Sequence, residues 1–202
     1  MDGGRLPKLI AFDLDYTLWD FWIDTHITEP LRQDSVTGAI LDSARDFRGD
    51  PCPNAIEFYN DVPEILRSLN EAAVCVAAAS RTQAPELARK ALRLIKIPIS
   101  PAGGSATNTS EVAEPRPAIT FFDQLEIYPG SKIKHFKKIH KDTGIPYNEM
   151  LFFDDERRNT EVQTQLGVTF VLVEEGMNWE TFRKGLREWR KRHPVEDGAA
   201  SS

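Results

Sequence analysis

The sequence predicts an α/β fold, a doubly wound and mostly parallel sheet flanked by helices, on three observations. Five short apolar runs, at residues 8–12, 74–79, 119–122, 150–153 and 168–173, are too short for most helices and lack strict alternation. Runs of that kind read as strands buried on both faces, as in a parallel sheet. Amphipathic segments lie between them, and strands alternating with helices wind such a sheet on both sides. Acids and hydroxyls then follow several of the runs directly, at the carboxyl ends where an α/β sheet places its ligands.

The elements follow in chain order. After the first run, the residues between Thr17 and Asp61 suffice only for a small flap or hairpin. Asp61 with Glu64 three residues on forms a capping-box-like start for a helix through Leu69, and Pro63 falls in the first turn, where its missing N–H costs little. A second amphipathic helix is expected at 85–95. Ser131 caps a third that runs to about 142 and stops at Gly144, and a fourth runs from about 157 to 166 before Gly167. A last helix is expected at 179–192. The segment 97–117, rich in Pro, Gly, Ser, Thr and Ala, cannot bury enough apolar surface to offset its ordering entropy and is expected to be a mobile insertion. Residues 194–202 read as a flexible tail, which leaves one domain over 1–193. Helix, insertion and strand already fill 82–132, so no large cap domain is expected.

Composition narrows the function. With 25 Lys and Arg against 31 Asp and Glu, the net charge of -6 argues against nucleic acid, whose backbone is held by an excess of cations. A phosphorylated protein or a small-molecule phosphate is the easier partner. Cys52 and Cys75 are too few for a disulfide framework, and Cys75 within an apolar run reads as a buried, reduced thiol. No basic start with an apolar leader is present, and no stretch approaches the ~20 apolar residues of a membrane span. The expectation is a monomer without a membrane partner, in the cytoplasm or the nucleus.

The chemistry is concentrated in LIAFDLDYTLW, where an apolar strand ends in Asp13 and Asp15. Period-two geometry places both acids on one side of the chain. Like charges that close raise each other's pKa and resist burial, and a divalent cation or a shared proton would resolve the conflict. Ser80 and Arg81 follow the second strand in VCVAAASRT, Lys132 follows Tyr128-Pro129-Gly130-Ser131, and Asp154 with Asp155 ends MLFFDDE. Arg81 suits anion recognition.

In that order, Asp13-Leu14-Asp15-Tyr16-Thr17, Ser80, Lys132 and Asp154-Asp155 resemble the four motifs of the haloacid dehalogenase superfamily. RLPKLIAFDLDYTLWDFW, AAASRT, EIYPGSK and FFDDERRN resemble its capless branch of magnesium-dependent phosphatases over most of 6–177. The resemblance implies Asp13 as nucleophile and Asp15 as general acid and base. It implies Mg2+ bound by Asp13, the backbone carbonyl of Asp15 and one carboxylate of the Asp154-Asp155 pair. Leu14, Trp22, Ser80, Arg81 and Lys132 are the residues expected to hold the phosphate or substrate. Phosphotyrosine on protein, sugar phosphates and phosphorylated glycated amines are the implied substrates. A receiver domain would also gather acids, a hydroxyl and a lysine, but in a different chain order, since here Lys132 precedes Asp154. An inactive phosphate-binding module is the other alternative, and it leaves a complete set of acids and cations without a purpose.

Other residues have plainer expectations. An aspartyl mechanism needs no histidine, so His26, His135 and His140 are expected to be solvated. Arg157 and Arg158 are expected at a helix start or on the surface. Thr17 is expected to orient the Asp13 loop through its hydrogen bonds. Trp19 and Trp22 can each serve either packing or substrate contact.

Overall fold

A computed structural model describes residues 3–99 and 114–194. In chain order its strands are β1 (Leu9–Phe12), β2 (Arg32–Gln33), β3 (Ile40–Leu41), β4 (Cys75–Ser80), β5 (Lys96–Ile97), β6 (Arg116–Pro117), β7 (Gln124–Ile127), β8 (Met150–Asp154) and β9 (Thr169–Leu172). Its helices are α1 (Ile23–His26), α2 (Val62–Glu71), α3 (Pro85–Leu94), α4 (Lys132–Thr143), α5 (Glu161–Leu166) and α6 (Trp179–Lys191). The central sheet has the order β7-β4-β1-β8-β9, with every neighbouring pair parallel. From β1 the chain winds outward through β4 to β7, then crosses to the other side for β8 and β9. The connections leaving the neighbouring strands β1 and β8 therefore run to opposite sides, which opens a crevice at their carboxyl ends, beside that of β4.

All four residues of β1 are buried because helices cover both faces of the sheet. Ile10, Phe12, Val76, Ala78, Leu151 and Phe153 share a core with α2, α3 and α6. Leu9, Ala11, Ala77, Ala79, Met150 and Phe152 form a second core with Phe136 and Ile139 of α4 and Val162 of α5. The approach of α6 requires Gly185, since a Cβ there would lie 2.4 Å from Cε1 of Phe153. Ser131 caps α4 by accepting from Lys134 N–H, and Gly144 ends that helix at φ 68°.

Three expectations need correction. The apolar run 119–122 is not a strand: Ala118–Phe121 form a 3-10 turn, and the strand follows as Gln124–Ile127. β7 is an edge strand paired only with β4, so it carries Gln124 and Glu126, while the apolar run packs on α2 and α3. Asp61 makes no side-chain cap on α2. Its carboxylate accepts instead from Trp179 N–H at 2.9 Å, and Glu64 from the Trp179 indole at 3.1 Å, which ties α2 to the start of α6. The fourth helix begins as a 3-10 turn, Arg157–Thr160, before α5.

The insertion expected at 97–117 has ordered ends, since Ile97 pairs with Arg116 and Lys96 with Pro117 in an antiparallel ladder. Residues 100–113 and the tail from 195 lie outside the described residues. Among the described residues no helix is long and apolar enough to cross a membrane.

Between β1 and α2, the chain forms a flap that contains α1 and the short β2-β3 hairpin. Its anchor is Asp42, fully buried. The Asp42 carboxylate accepts from Thr28 N–H at 2.9 Å, Asn54 N–H at 2.7 Å, Ala44 N–H at 3.2 Å and the Asn54 amide at 3.0 Å. Burial alone would push its pKa up, but these donors outweigh it and hold the carboxyl below the usual range.

Candidate active site

The crevice at the carboxyl ends of the strands holds a cavity of about 250 Å3. Asp13, Asp15, Ser80, Arg81, Lys132 and Asp155 line it, as does Trp22 from the flap. The backbone arranges this directly. β1 delivers Asp13, and the chain then turns sharply: the Leu14 carbonyl accepts from the N–H groups of Thr17, Leu18 and Trp19, with Tyr16 at φ 53°. That turn keeps Asp15 in the cavity wall and sends the Leu14 side chain into the core.

Lys132 is the electrostatic centre. Its side chain is 1% exposed, with Nζ 2.6 Å from Asp13 Oδ1 and 2.9 Å from Asp154 Oδ2, and it also donates to the Ala79 carbonyl. Burial opposes its charge, but Asp13 and Asp154 more than compensate, so the ammonium is held. Asp13 moves upward because burial and the neighbouring Asp154 and Asp15 charges outweigh Lys132. Burial likewise pushes Asp15 up to about 6 against hydrogen bonds from Trp19 and Ile23, and it pushes Asp155 up to about 6 with help from the Asp154 charge.

Asp13, Asp154 and Asp155 can each offer an oxygen within 4.8 Å of the others. An all-oxygen donor set suits a hard dication such as magnesium. With all three ionised, three carboxylates against one ammonium leave two negative charges in a largely buried cluster, the charge that one Mg2+ balances. The two members of the Asp154-Asp155 pair differ in what they have left to give. Asp154 accepts from Lys132, from Glu156 N–H at 2.7 Å and from the Asn159 amide at 2.8 and 2.9 Å, so both of its oxygens are engaged. Among the described residues no donor from another residue reaches the Asp155 carboxylate.

Several expectations resolve here. Trp22 is 49% exposed at the mouth, edge-on to Tyr16 and stacked with His26. Trp19 is buried instead, stacked between Phe21 and Phe58. The Thr17 hydroxyl makes no hydrogen bond among the described residues; Thr17 orders the loop through its backbone, whose carbonyl accepts from Met177 N–H at 2.9 Å. His135 is fully buried rather than solvated, because it lies on the inner face of α4. Burial, with Lys132 nearby, lowers its pKa to about 4, and its neutral ring donates from Nε2 to the Tyr128 carbonyl at 3.0 Å.

The structure also brings in residues that the motifs did not mark. Asp24, Thr82, Glu156 and Arg158 complete the cavity lining. The flap is tied to the end of β4 through Asp24, which accepts from Thr82 Oγ1 at 3.1 Å and Gln83 N–H at 2.9 Å. Arg158, expected at a helix start or on the surface, is exposed in the 3-10 turn before α5 and pairs with Glu156 at the cavity edge. Asn159 is buried and also accepts from Arg81 at 3.4 Å. It lies within FFDDERRN, five residues past Asp154, where a lone amide beside two acids is the signal that could have found it. Asp24 has no such local signal.

Comparison with known proteins places the chain in a family. The sequence matches the acid phosphatase family over residues 5–192. It is 41% identical over 188 residues to Magnesium-dependent phosphatase 1 of Homo sapiens, covering 93% of this chain and 90% of that protein. It is 46% identical over 167 residues to a HAD-like hydrolase superfamily protein of Schizosaccharomyces pombe, covering 83% of this chain and 86% of that one. The fold is similar to that of a HAD-like family hydrolase from Porphyromonas gingivalis, with a TM-score of 0.53 at 14% identity, over 91% of this chain and 99% of that one. The chain therefore belongs to the acid phosphatase family and is a magnesium-dependent phosphatase of the haloacid dehalogenase superfamily.

Proposed function

We propose that the chain hydrolyses phosphomonoesters in two steps, with Asp13 as the residue that is phosphorylated and Asp15 as its general acid and base. The observation that carries this reading is the Asp13 carboxylate in the cavity, 2.6 Å from a fully buried lysine, with a second acid two residues on along the same wall. In the first step an Asp13 oxygen bonds to phosphorus as the bond to the leaving oxygen breaks, and the Asp15 proton goes to that oxygen. In the second, Asp15 takes a proton from water, whose oxygen bonds to phosphorus as the Asp13–phosphorus bond breaks. Inorganic phosphate leaves, and both acids return to their starting states. Lys132, held charged, faces the negative charge spread over the phosphoryl oxygens in each step. Ser80, Arg81 and the backbone N–H of Leu14 would hold those oxygens.

Asp13, Asp155 and the backbone carbonyl of Asp15 would hold the magnesium, with Asp154 fully occupied in orienting Lys132. Bound there, the ion supplies charge compensation between an anionic nucleophile and an anionic substrate.

The substrate reading is an aromatic phosphomonoester, phosphotyrosine on a protein before a small sugar phosphate. It is supported by an open cleft and by the half-exposed Trp22 ring at the mouth, which can shield the reacting group while stacking on a flat one. The test is phosphate release by Asp13→Asn, which should fall by at least ~10^3-fold with the fold intact. Retention of more than about a tenth of wild-type turnover rejects the nucleophile assignment. In the same assay Trp22→Ala should lose activity on aryl esters selectively, and an equal loss on alkyl esters rejects the aromatic preference.

A further inference from the structure

Asp15 does not stand free in its cavity. The Trp19 indole donates from Nε1 to Asp15 Oδ1 at 2.7 Å, and Ile23 N–H donates to the same oxygen at 3.3 Å. Among the described residues no hydrogen bond reaches Oδ2. A protonated carboxyl carries its hydrogen on one oxygen only, and that oxygen becomes a poor acceptor. Two N–H groups aimed at Oδ1 would repel a hydrogen placed there, so the proton belongs on Oδ2.

The indole is also the fixed member of the pair. Trp19 is fully buried, stacked with Phe21 at 5.3 Å and 7° between planes and with Phe58 at 6.1 Å and 13°. The next strut is Tyr59 N–H, which donates to the carbonyl of Leu18 at 2.9 Å. With the ring clamped in this way, it is the Asp15 rotamer that conforms to Trp19. The second donor, Ile23, opens α1 and carries the flap, so the same oxygen also registers the flap against the acid.

We propose that Trp19 is a positioning residue: its indole N–H reserves Oδ1 of Asp15 as the acceptor and leaves Oδ2 as the oxygen that gives its proton to the leaving group. This rests on the reading of Asp15 as the general acid. When the proton departs to the leaving oxygen, the new carboxylate charge is left with two N–H donors already in place, so no reorganisation is needed at that moment.

A packing role and a positioning role differ in how they depend on the leaving group. Nitrophenolate departs without a proton, whereas an alkoxide needs one. The experiment measures the single-turnover rate of leaving-group release, which reports the first step alone, with magnesium present and enzyme in excess over a series of phosphate esters from p-nitrophenyl to alkyl. It uses wild type, Trp19→Phe, a protein with benzothienylalanine at position 19, and Asp15→Asn. Benzothienylalanine keeps the ring shape and removes only the N–H, so it decides the matter even if Trp19→Phe folds poorly. The expected result is a loss in the first-step rate within about threefold on p-nitrophenyl phosphate that grows to about 30-fold or more on the alkyl ester, the same trend as Asp15→Asn on a smaller scale. An equal loss on every ester, or none, for both Trp19 replacements alongside a leaving-group-dependent loss for Asp15→Asn overturns the positioning role alone. An Asp15→Asn loss that is independent of the leaving group overturns the acid assignment and this proposal with it.

Discussion

Asp154 and Asp155 are neighbours of the same type with different work, and what separates them is the donors around each. A carboxylate with both oxygens accepting has little to offer a cation, so the proposed ligand is Asp155 and the proposed orienter Asp154. Asn159 holds that division by donating to both Asp154 oxygens. Asp155→Asn is expected to raise the magnesium concentration for half-maximal activity by more than ~100-fold, and Asn159→Ala by about tenfold, in line with losses at outer-shell partners of metal ligands. Titration of activity with magnesium checks both, and an Asn159→Ala curve that overlays wild type contradicts the assigned role. At this scale the sequence was legible wherever a residue lies at the end of a strand or the start of a helix: Asp13, Ser80, Lys132 and Asp154 lie where the element boundaries put them. Asn159 and Trp19 were less so, because each acts through a side chain that reaches back four or five residues to an acid, a relation that spacing suggests but only burial and direction establish. His135 was misread for the complementary reason, since the inward face of α4 is set by the sheet it packs on.

The element that matters most for substrate access is the flap, which has no large core of its own and is pinned at Asp42 and Asp24. Replacing Asp42 by Asn keeps the size but presents an amide N–H to groups that are themselves donors. A loss of about 1–3 kcal/mol at neutral pH is expected. The sign of its pH dependence follows from the direction of the shift. A carboxyl whose folded pKa is depressed contributes its full stability above its unfolded pKa and loses it as pH falls through the folded value. The stability gap between wild type and Asp42→Asn should therefore be constant at neutral pH and close only well below about pH 4, the ordinary Asp range. Denaturant unfolding of both proteins over that range checks it, and a gap that does not narrow in acid contradicts the anchor. Elements themselves were legible where both faces are buried, as in β1 and β8. β7 was displaced in the reading because an edge strand does not need the continuous apolar run that the neighbouring 3-10 turn happens to carry.

At the scale of the molecule, one topological fact organises the site. Connections that run to opposite sides from β1 and β8 leave the carboxyl ends of β4, β1 and β8 open, and four separate chain segments each deliver part of the chemistry there. Strand and helix alternation made that arrangement readable in the sequence, since it follows from general rules of parallel sheets. The flap's path over the site was not readable, because its anchors are single buried acids rather than a periodic pattern. The central claim is that this crevice phosphorylates Asp13, and trapping that species tests it most directly. Asp15→Asn, mixed with magnesium and p-nitrophenyl phosphate, retains a leaving group that departs without a proton but lacks the base for the second step. After an acid quench, the protein is expected to carry a hydroxylamine-labile phosphoryl group located by mass spectrometry on Asp13; release of nitrophenolate with Asp13 unmodified, or with the label on another residue, would contradict the account.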